Sequence, residues 1–338
     1  MIQLRKDYIL NRWSYIAVDR GKRPKQFEGN KIENKKNGKE SVCYFCPGNE
    51  NLTPPEIGRI SDQNKWKVRW FPNKFPAVDG NLKKKIITSN EYYTGGEAFG
   101  FHEIIAETPD HKKQLADLNI EEIEKVLKVY SLRMAELSAK DGIKYVQIFK
   151  NSGADAGTSL VHSHSQIIAT NVIPSLIQEK VEAVKKYKNC PYCDIIKKEE
   201  KSKRFIYANQ DFVCFAPYAP RFNYEAWIFP KKHYKNITEI KKSEFRNLAK
   251  AFKVILSKLS GINAPYNFYL HYAPTEEVRE GKTLPLLREV KGGEDLHFHF
   301  VIAPRMNVWA GFELATDAFI VKVSPEDAAE FYRKNKIL

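Results

Sequence analysis

Residues 145–170 read YVQIFKNSGADAGTSLVHSHSQIIAT and hold most of the chain's candidate chemistry. A β-branched and aromatic run, Tyr145 to Phe149, leads into a Gly/Ser/Asn loop that ends in His162-Ser163-His164-Ser165-Gln166. Ile167 and Ile168 then resume a strand pattern, in which every second side chain shares a face. His162, His164 and Gln166 are therefore expected to point the same way. The loop before them carries Gly153, Gly157, Thr158 and Ser159. Glycine lets backbone N–H groups approach an anion closely and the hydroxyls add donors, so the loop reads as a phosphate cradle. A cradle that delivers phosphate to imidazoles suits chemistry at phosphorus, because neutral imidazole is both nucleophile and leaving group near neutral pH. The competing reading is a glycine-rich turn followed by two incidental histidines. Against it, three polar side chains on one strand face are costly to bury without a task.

Cysteines are the second chemical signal. Four of the five form Cys43-x-x-Cys46 and Cys190-x-x-Cys193, and Cys214 stands alone. The N-terminus has no secretory h-region, and no apolar run reaches the roughly 18 residues that suggest a membrane span, so a soluble cytoplasmic protein is expected. In that compartment paired Cys-x-x-Cys motifs favour zinc over disulfides. A thioredoxin-like redox reading is weaker, since neither pair is expected to open a helix after a buried strand. A net charge of +14 points to anionic partners. The lysines are scattered without interleaved aromatics, so an anionic small molecule explains the charge at least as well as nucleic acid does.

The elements that position these residues repeat. A helix is predicted from Ile120 to about Ala139, capped by Asn119 and striped by Ile123, Val126, Tyr130, Met134 and Leu137. A displacement of 122 residues returns the stripe as Phe245, Leu248, Phe252, Leu256 and Leu259, and carries His111 onto His233. The same displacement lays Tyr145–Phe149 on Asn267–His271, and beyond an insertion His297-Phe298-His299 answers His162-Ser163-His164. The chain is two copies of one unit. Further strands are expected at Trp66–Phe71 and Phe101–Glu107, and a lysine-rich loop at 25–42.

The pattern Asn-x-Gly-x-x-x-Gly-x-Ser-x-x-His-x-His-x-Gln, filled by Asn151, Gly153, Gly157, Ser159, His162, His164 and Gln166, resembles the galactose-1-phosphate uridylyltransferase branch of the histidine-triad superfamily. The His-Ser-His-Ser-Gln form is also similar to that family's ADP-glucose phosphorylases. The resemblance spans nearly the whole chain, from Trp13, Arg20, Arg23 and Pro24 to Gly311-Phe312-Glu313. It implies an α+β fold of two tandem histidine-triad-like halves, residues 1–176 and 177–338, each a mostly antiparallel sheet with a long helix. It implies two structural Zn²⁺ sites, Cys43, Cys46, His111 and His162 in the first half and Cys190, Cys193, His233 and His297 in the second. Four protein ligands mark a structural rather than a catalytic zinc.

The activity implied is ping-pong nucleotidyl transfer. His164 would attack a nucleotide sugar, expel sugar 1-phosphate and carry the nucleotidyl group to an acceptor phosphate, with Gln166 on a phosphoryl oxygen. Carried over residue by residue, Asn151, Gly157 and Ser159 bind phosphate, and Phe45, Asn73 and Phe75 form the nucleoside pocket. Arg20 and Arg23 match arginines that reach across a homodimer interface to the hexose phosphate, and Glu313 matches a carboxylate that accepts sugar hydroxyls. Two positions depart from the uridylyltransferase pattern: Lys74 replaces an Asp beside the uracil, and Asn307 replaces a Lys on the hexose phosphate, with Arg305 nearby. Uridylyl exchange between UDP-glucose and a hexose 1-phosphate is the leading expectation. ADP-glucose phosphorylase or a dinucleotide polyphosphate phosphorylase is the alternative, and a non-catalytic zinc-stabilised nucleotide or nucleic-acid binder is a third. The second copy has Val301 where the first has Gln166, so His299 is expected to pack or line a pocket. His102 either lines the pocket or is structural, and no role is assigned to His271 or Cys214.

Overall fold

The computed structural model describes residues 2–22, 27–28, 31–32, 42–274 and 296–334. The strands of its first part are β1 (Gln3–Lys6), β2 (Trp13–Ile16), β3 (Phe27–Glu28), β4 (Lys31–Ile32), β5 (Gly58–Asp62) and β6 (Lys65–Pro72). They continue with β7 (Ile86–Thr88), β8 (Thr94–Glu97), β9 (Gly100–Ala106), β10 (Tyr145–Ser152) and β11 (His164–Thr170). Helix α1 (Ile120–Ser138) lies between β9 and β10. Helices α2 (Ser175–Lys185) and α3 (Pro191–Glu199) open the second part, followed by β12 (Phe205–Ala208), β13 (Phe212–Phe215) and β14 (Ala226–Pro230). Helix α4 (Phe245–Gly261), β15 (Tyr266–His271), β16 (His299–Pro304), α5 (Gly311–Thr316) and α6 (Pro325–Lys334) complete the chain.

Ten strands form one antiparallel sheet in the order β12-β13-β14-β16-β15-β10-β11-β9-β6-β5. The seam is β10 against β15, with Phe149 opposite Tyr269 and Asn151 opposite Asn267. Outward from it, β10-β11-β9-β6-β5 is answered by β15-β16-β14-β13-β12, so the repeat seen in the sequence is a two-fold repeat of topology. The fold is α+β with antiparallel pairing, as expected. A separate sheet, β2-β1-β8-β7, uses the N-terminal strands.

The two long helices form for legible reasons. Asn119 and Glu122 make a reciprocal capping box, the Asn119 side chain accepting from the Glu122 N–H at 3.0 Å and the Glu122 carboxylate from the Asn119 N–H at 2.8 Å. The predicted stripes of α1 and α4 are buried. The helices pack on each other and on the sheet, and one apolar core runs through both sets of strands. Each fully buried large aliphatic side chain in it contributes about 1.5–3 kcal/mol. Among the described residues no helix is long and apolar enough to cross a membrane.

β11 is entered at His164, with His162 just before it. The expected alternation holds there: the His162 and His164 rings both stand beside Phe45, while Ser163 between them turns to Glu107. The His162 ring also meets the cysteines, and its Nε2–H donates to the Thr108 carbonyl at 2.7 Å.

Candidate active site and metal-ligand groups

Each half gathers two thiols and two imidazoles. In the first, Cys43, Cys46, His111 and His162 place their ligand atoms within 4.8 Å of one another, and Cys190, Cys193, His233 and His297 do so in the second. Cys46 Sγ lies 3.4 Å from His111 Nδ1 and 3.6 Å from His162 Nδ1. Cys193 Sγ lies 3.5 Å from His233 Nδ1 and 3.6 Å from His297 Nδ1. The bond from His162 Nε2 to Thr108 fixes the tautomer that leaves Nδ1 free for a metal. All five cysteines are unpaired thiols. Cys190 does N-cap α3, but helix α2 and a turn precede it rather than a buried strand, so the redox reading gains nothing.

Next to the first group, β11 carries His164 and Gln166 on one face. The His164 Nδ1–H donates to the His162 carbonyl at 2.8 Å, which leaves the lone pair on Nε2. Phe45, between the two cysteines, sets its ring edge-on to His164 at 5.4 Å and packs against Phe71. Burial, and then the nearby charge of Lys150, push the His164 imidazole down to about 4. Phe45, expected in the nucleoside pocket, thus packs directly on the histidine.

The loop between β10 and β11 has the conformation its glycines permit. Gly157 has φ +84° with open space where a Cβ would stand, and Gly153 has φ +89° with a Cβ position only 2.8 Å from Pro265. Ser159 is half-buried within the loop. Asn151 accepts at 2.8 Å from Asn267 Nδ2, which also donates to the Ala156 carbonyl at 2.8 Å. Arg305 donates to Asn267 Oδ1 at 3.2 Å, so the second half braces the cradle of the first.

On β9, His102 joins several expected pocket residues. Its Nε2 is 3.0 Å from Gln166 Oε1 and 3.1 Å from Asn73 Nδ2. Asn73 also accepts the Phe75 N–H at 2.9 Å. Arg20 donates to the Phe75 carbonyl of its own chain at 2.6 Å. Arg23 lies outside the described residues. Glu313 uses its carboxylate to cap α5, accepting the Ala310 N–H at 3.0 Å.

A family model described as galactose-1-phosphate uridyl transferase, N-terminal domain, matches residues 2–174, just over half of the chain. The chain belongs to the galactose-1-phosphate uridylyltransferase family. A second model, described as scavenger mRNA decapping enzyme C-term binding, matches residues 189–279. ADP-glucose phosphorylase of Arabidopsis thaliana is 34% identical over 98% of this chain and 92% of its own. Galactose-1-phosphate uridylyltransferase of Thermotoga maritima is 27% identical over 100% and 99%. The crystal structure of the Arabidopsis ADP-glucose phosphorylase with bound ADP-glucose superposes with a TM-score of 0.76 at 30% identity, covering 100% of both chains. The protein is a nucleotidyltransferase of the uridylyltransferase type, with ADP-glucose phosphorylase close by.

Within this family frame, the sequence reading missed what lies behind the histidine strand. Ser163 and Ser165 turn to the opposite face and both donate to Glu107, Ser163 at 2.5 Å. Lys150 Nζ donates to Glu107 at 2.6 Å, to Ser163 Oγ at 3.0 Å and to the His164 carbonyl at 3.1 Å. Tyr130 of α1 donates to Glu107 at 3.1 Å. Burial alone would raise the Glu107 carboxyl, but Lys150 and the hydroxyls hold it below its ordinary value. The signal was available: Lys150 follows Ile148-Phe149 and Glu107 follows Ile104-Ile105-Ala106, where a lone buried charge is untenable.

The second copy differs in its partners. His299 repeats the bond of Nδ1–H to the His297 carbonyl at 2.9 Å, but Lys180 Nζ stands 3.4 Å from its Nε2 and 2.8 Å from His271 Nδ1. The ring also stacks on Phe229 at 4.4 Å. His299 therefore packs, as expected, and His271 acquires a partner that the sequence did not suggest. Cys214 is buried in the core.

Proposed function

We propose that His164 is the nucleophile of a ping-pong nucleotidyl transfer. The observation that carries this is the ring's geometry: Nδ1–H is committed to the His162 carbonyl, which leaves the lone pair on Nε2. Nε2 attacks the α-phosphorus of a nucleotide sugar, a P–N bond forms, and the P–O bond to sugar 1-phosphate breaks. An acceptor phosphate oxygen then attacks phosphorus, the P–N bond breaks and free His164 returns. Asn151, Gly157 and Ser159 hold the phosphates, and the Gln166 amide donates to an equatorial oxygen, where charge builds up. Phe45, Asn73 and Phe75 bound the nucleoside, and Glu313 accepts sugar hydroxyls.

UDP-glucose with a hexose 1-phosphate acceptor is the first reading, supported by the family match. A second, phosphorolysis of ADP-glucose, is favoured by Lys74 and Asn307, by the Ser163 and Ser165 pair on Glu107, and by the 34% identity to the plant phosphorylase. Incubation with UDP-glucose and ADP-glucose, each radiolabelled in the α-phosphate, tests both. Acid-labile label on His164 is expected, and the donor that leaves it names the base. No label from either donor would overturn the transferase reading and favour a binder.

We further propose Zn²⁺ in both Cys₂His₂ groups. Tetrahedral zinc with bonds of about 2.3 Å to sulfur and 2.0 Å to nitrogen requires sulfur–nitrogen separations of about 3.5 Å, close to those seen. Such an ion would act structurally, holding His162 and with it the start of β11. Division into units 1–176 and 177–338, a homodimer and a cytoplasmic location complete the reading. Arg20 is held by its own chain at Phe75, so a role across subunits for it, together with Arg23, would require its release.

A further inference from the structure

A glutamine amide can meet a phosphoryl group with either end, and only the NH₂ end helps. At Gln166 the other end is taken, since Oε1 lies 3.0 Å from His102 Nε2. The proton on that imidazole can be placed from its second nitrogen. The backbone N–H of Ala77 points at His102 Nδ1 at 3.0 Å, and Arg20 Nη1 lies 3.2 Å from the same atom. Two donors facing Nδ1 make it the acceptor, so the single proton of a neutral ring sits on Nε2 and is donated to Gln166 Oε1. His102 is 4% exposed, with the Arg20 guanidinium beside its Nδ1. Asn73 Nδ2, a donor, also lies 3.1 Å from Nε2, so Nε2 faces one donor and one acceptor whereas Nδ1 faces two donors, and the proton is better placed on Nε2. Ala77 and Arg20 thereby set the tautomer of His102, and the tautomer sets which end of Gln166 faces outward.

We propose that His102 is a positioning residue of the transfer reaction, fixing the Gln166 amide so that its N–H groups face the transferred phosphoryl group. This rests on the reading of His164 and Gln166 given above. His102 sits on β9, opposite Ile168, and reaches Gln166 diagonally across the β9–β11 ladder. Rotating the amide would set oxygen against the anion and leave the imidazole N–H facing a second donor.

The test uses the full-length, metal-loaded protein with His102→Leu, His102→Gln, Gln166→Ala and the double variant His102→Leu/Gln166→Ala. The readout is the single-turnover rate at which α-phosphate label reaches His164, beside donor affinity and metal content. His102→Leu is expected to slow labelling about tenfold or more, with donor affinity and metal content little changed. His102→Gln, which can restore an N–H donor near the Nε2 position, should recover most of the rate. In the Gln166→Ala background the His102→Leu change should add little, because the two act through one interaction. Losses that multiply in the double variant, or a His102→Gln protein as slow as His102→Leu, would overturn the proposal. Absence of label on His164 in the unsubstituted protein would instead remove the transferase reading itself, and the proposal with it.

Discussion

Two imidazoles separated by one serine have different partners. His162 faces the cysteines and Thr108, whereas His164 gives its Nδ1–H to the His162 carbonyl and sets its ring beside Phe45. His164→Gly should abolish nucleotidyl transfer with metal content intact, and His162→Ala should lower metal occupancy. Equal metal loss by both variants in atomic absorption would contradict the separation of roles. The buried pair Lys150–Glu107 makes a second prediction at this scale. Lys150→Met leaves Glu107 charged among hydroxyls and should cost about 3–5 kcal/mol in urea unfolding. Replacing both partners with apolar residues should cost less, because no orphaned charge remains. A Lys150→Met protein as stable as the parent would show that the pair does not hold the histidine strand.

At the scale of elements, the cradle is shaped by its own glycines and braced from β15. Asn267→Ala removes the donor shared by Asn151 and the Ala156 carbonyl. Donor KM is expected to rise about fivefold, the equivalent of ~1 kcal/mol, with the global unfolding midpoint nearly unchanged. A fall in kcat at constant KM would instead place the brace in the transition state. Helix α1 depends on its cap, and Asn119→Ala should lower stability by about 1 kcal/mol without touching the chemistry. These elements were readable from the sequence. The apolar stripes placed α1 and α4 within a residue or two, because amphipathic periodicity is local. The His-x-His alternation was equally readable, because successive side chains of extended backbone take opposite faces.

At the scale of the whole molecule, the halves share one sheet and one apolar core. They are expected to unfold as a single transition in calorimetry, and residues 1–176 expressed alone should aggregate through the exposed β10 edge. A soluble, folded fragment would refute that. Removing metal with a strong chelator should release two ions per chain and lower the thermal midpoint, since ligand binding energy is folding energy. Release of one ion would assign metal to one half only.

The sequence by itself determined the ligand sets, the His-x-His-x-Gln strand, the glycine loop and the internal repeat, because spacing, turn chemistry and periodicity act over a few residues at a time. The tertiary structure alone decided that Glu107 and Lys150 pair behind His164, that Asn267 reaches the loop, that His102 meets Gln166 and that Lys180 meets His299. Each of these joins groups that only strand register and sheet order bring within hydrogen-bond range, and no local preference of the chain encodes that meeting.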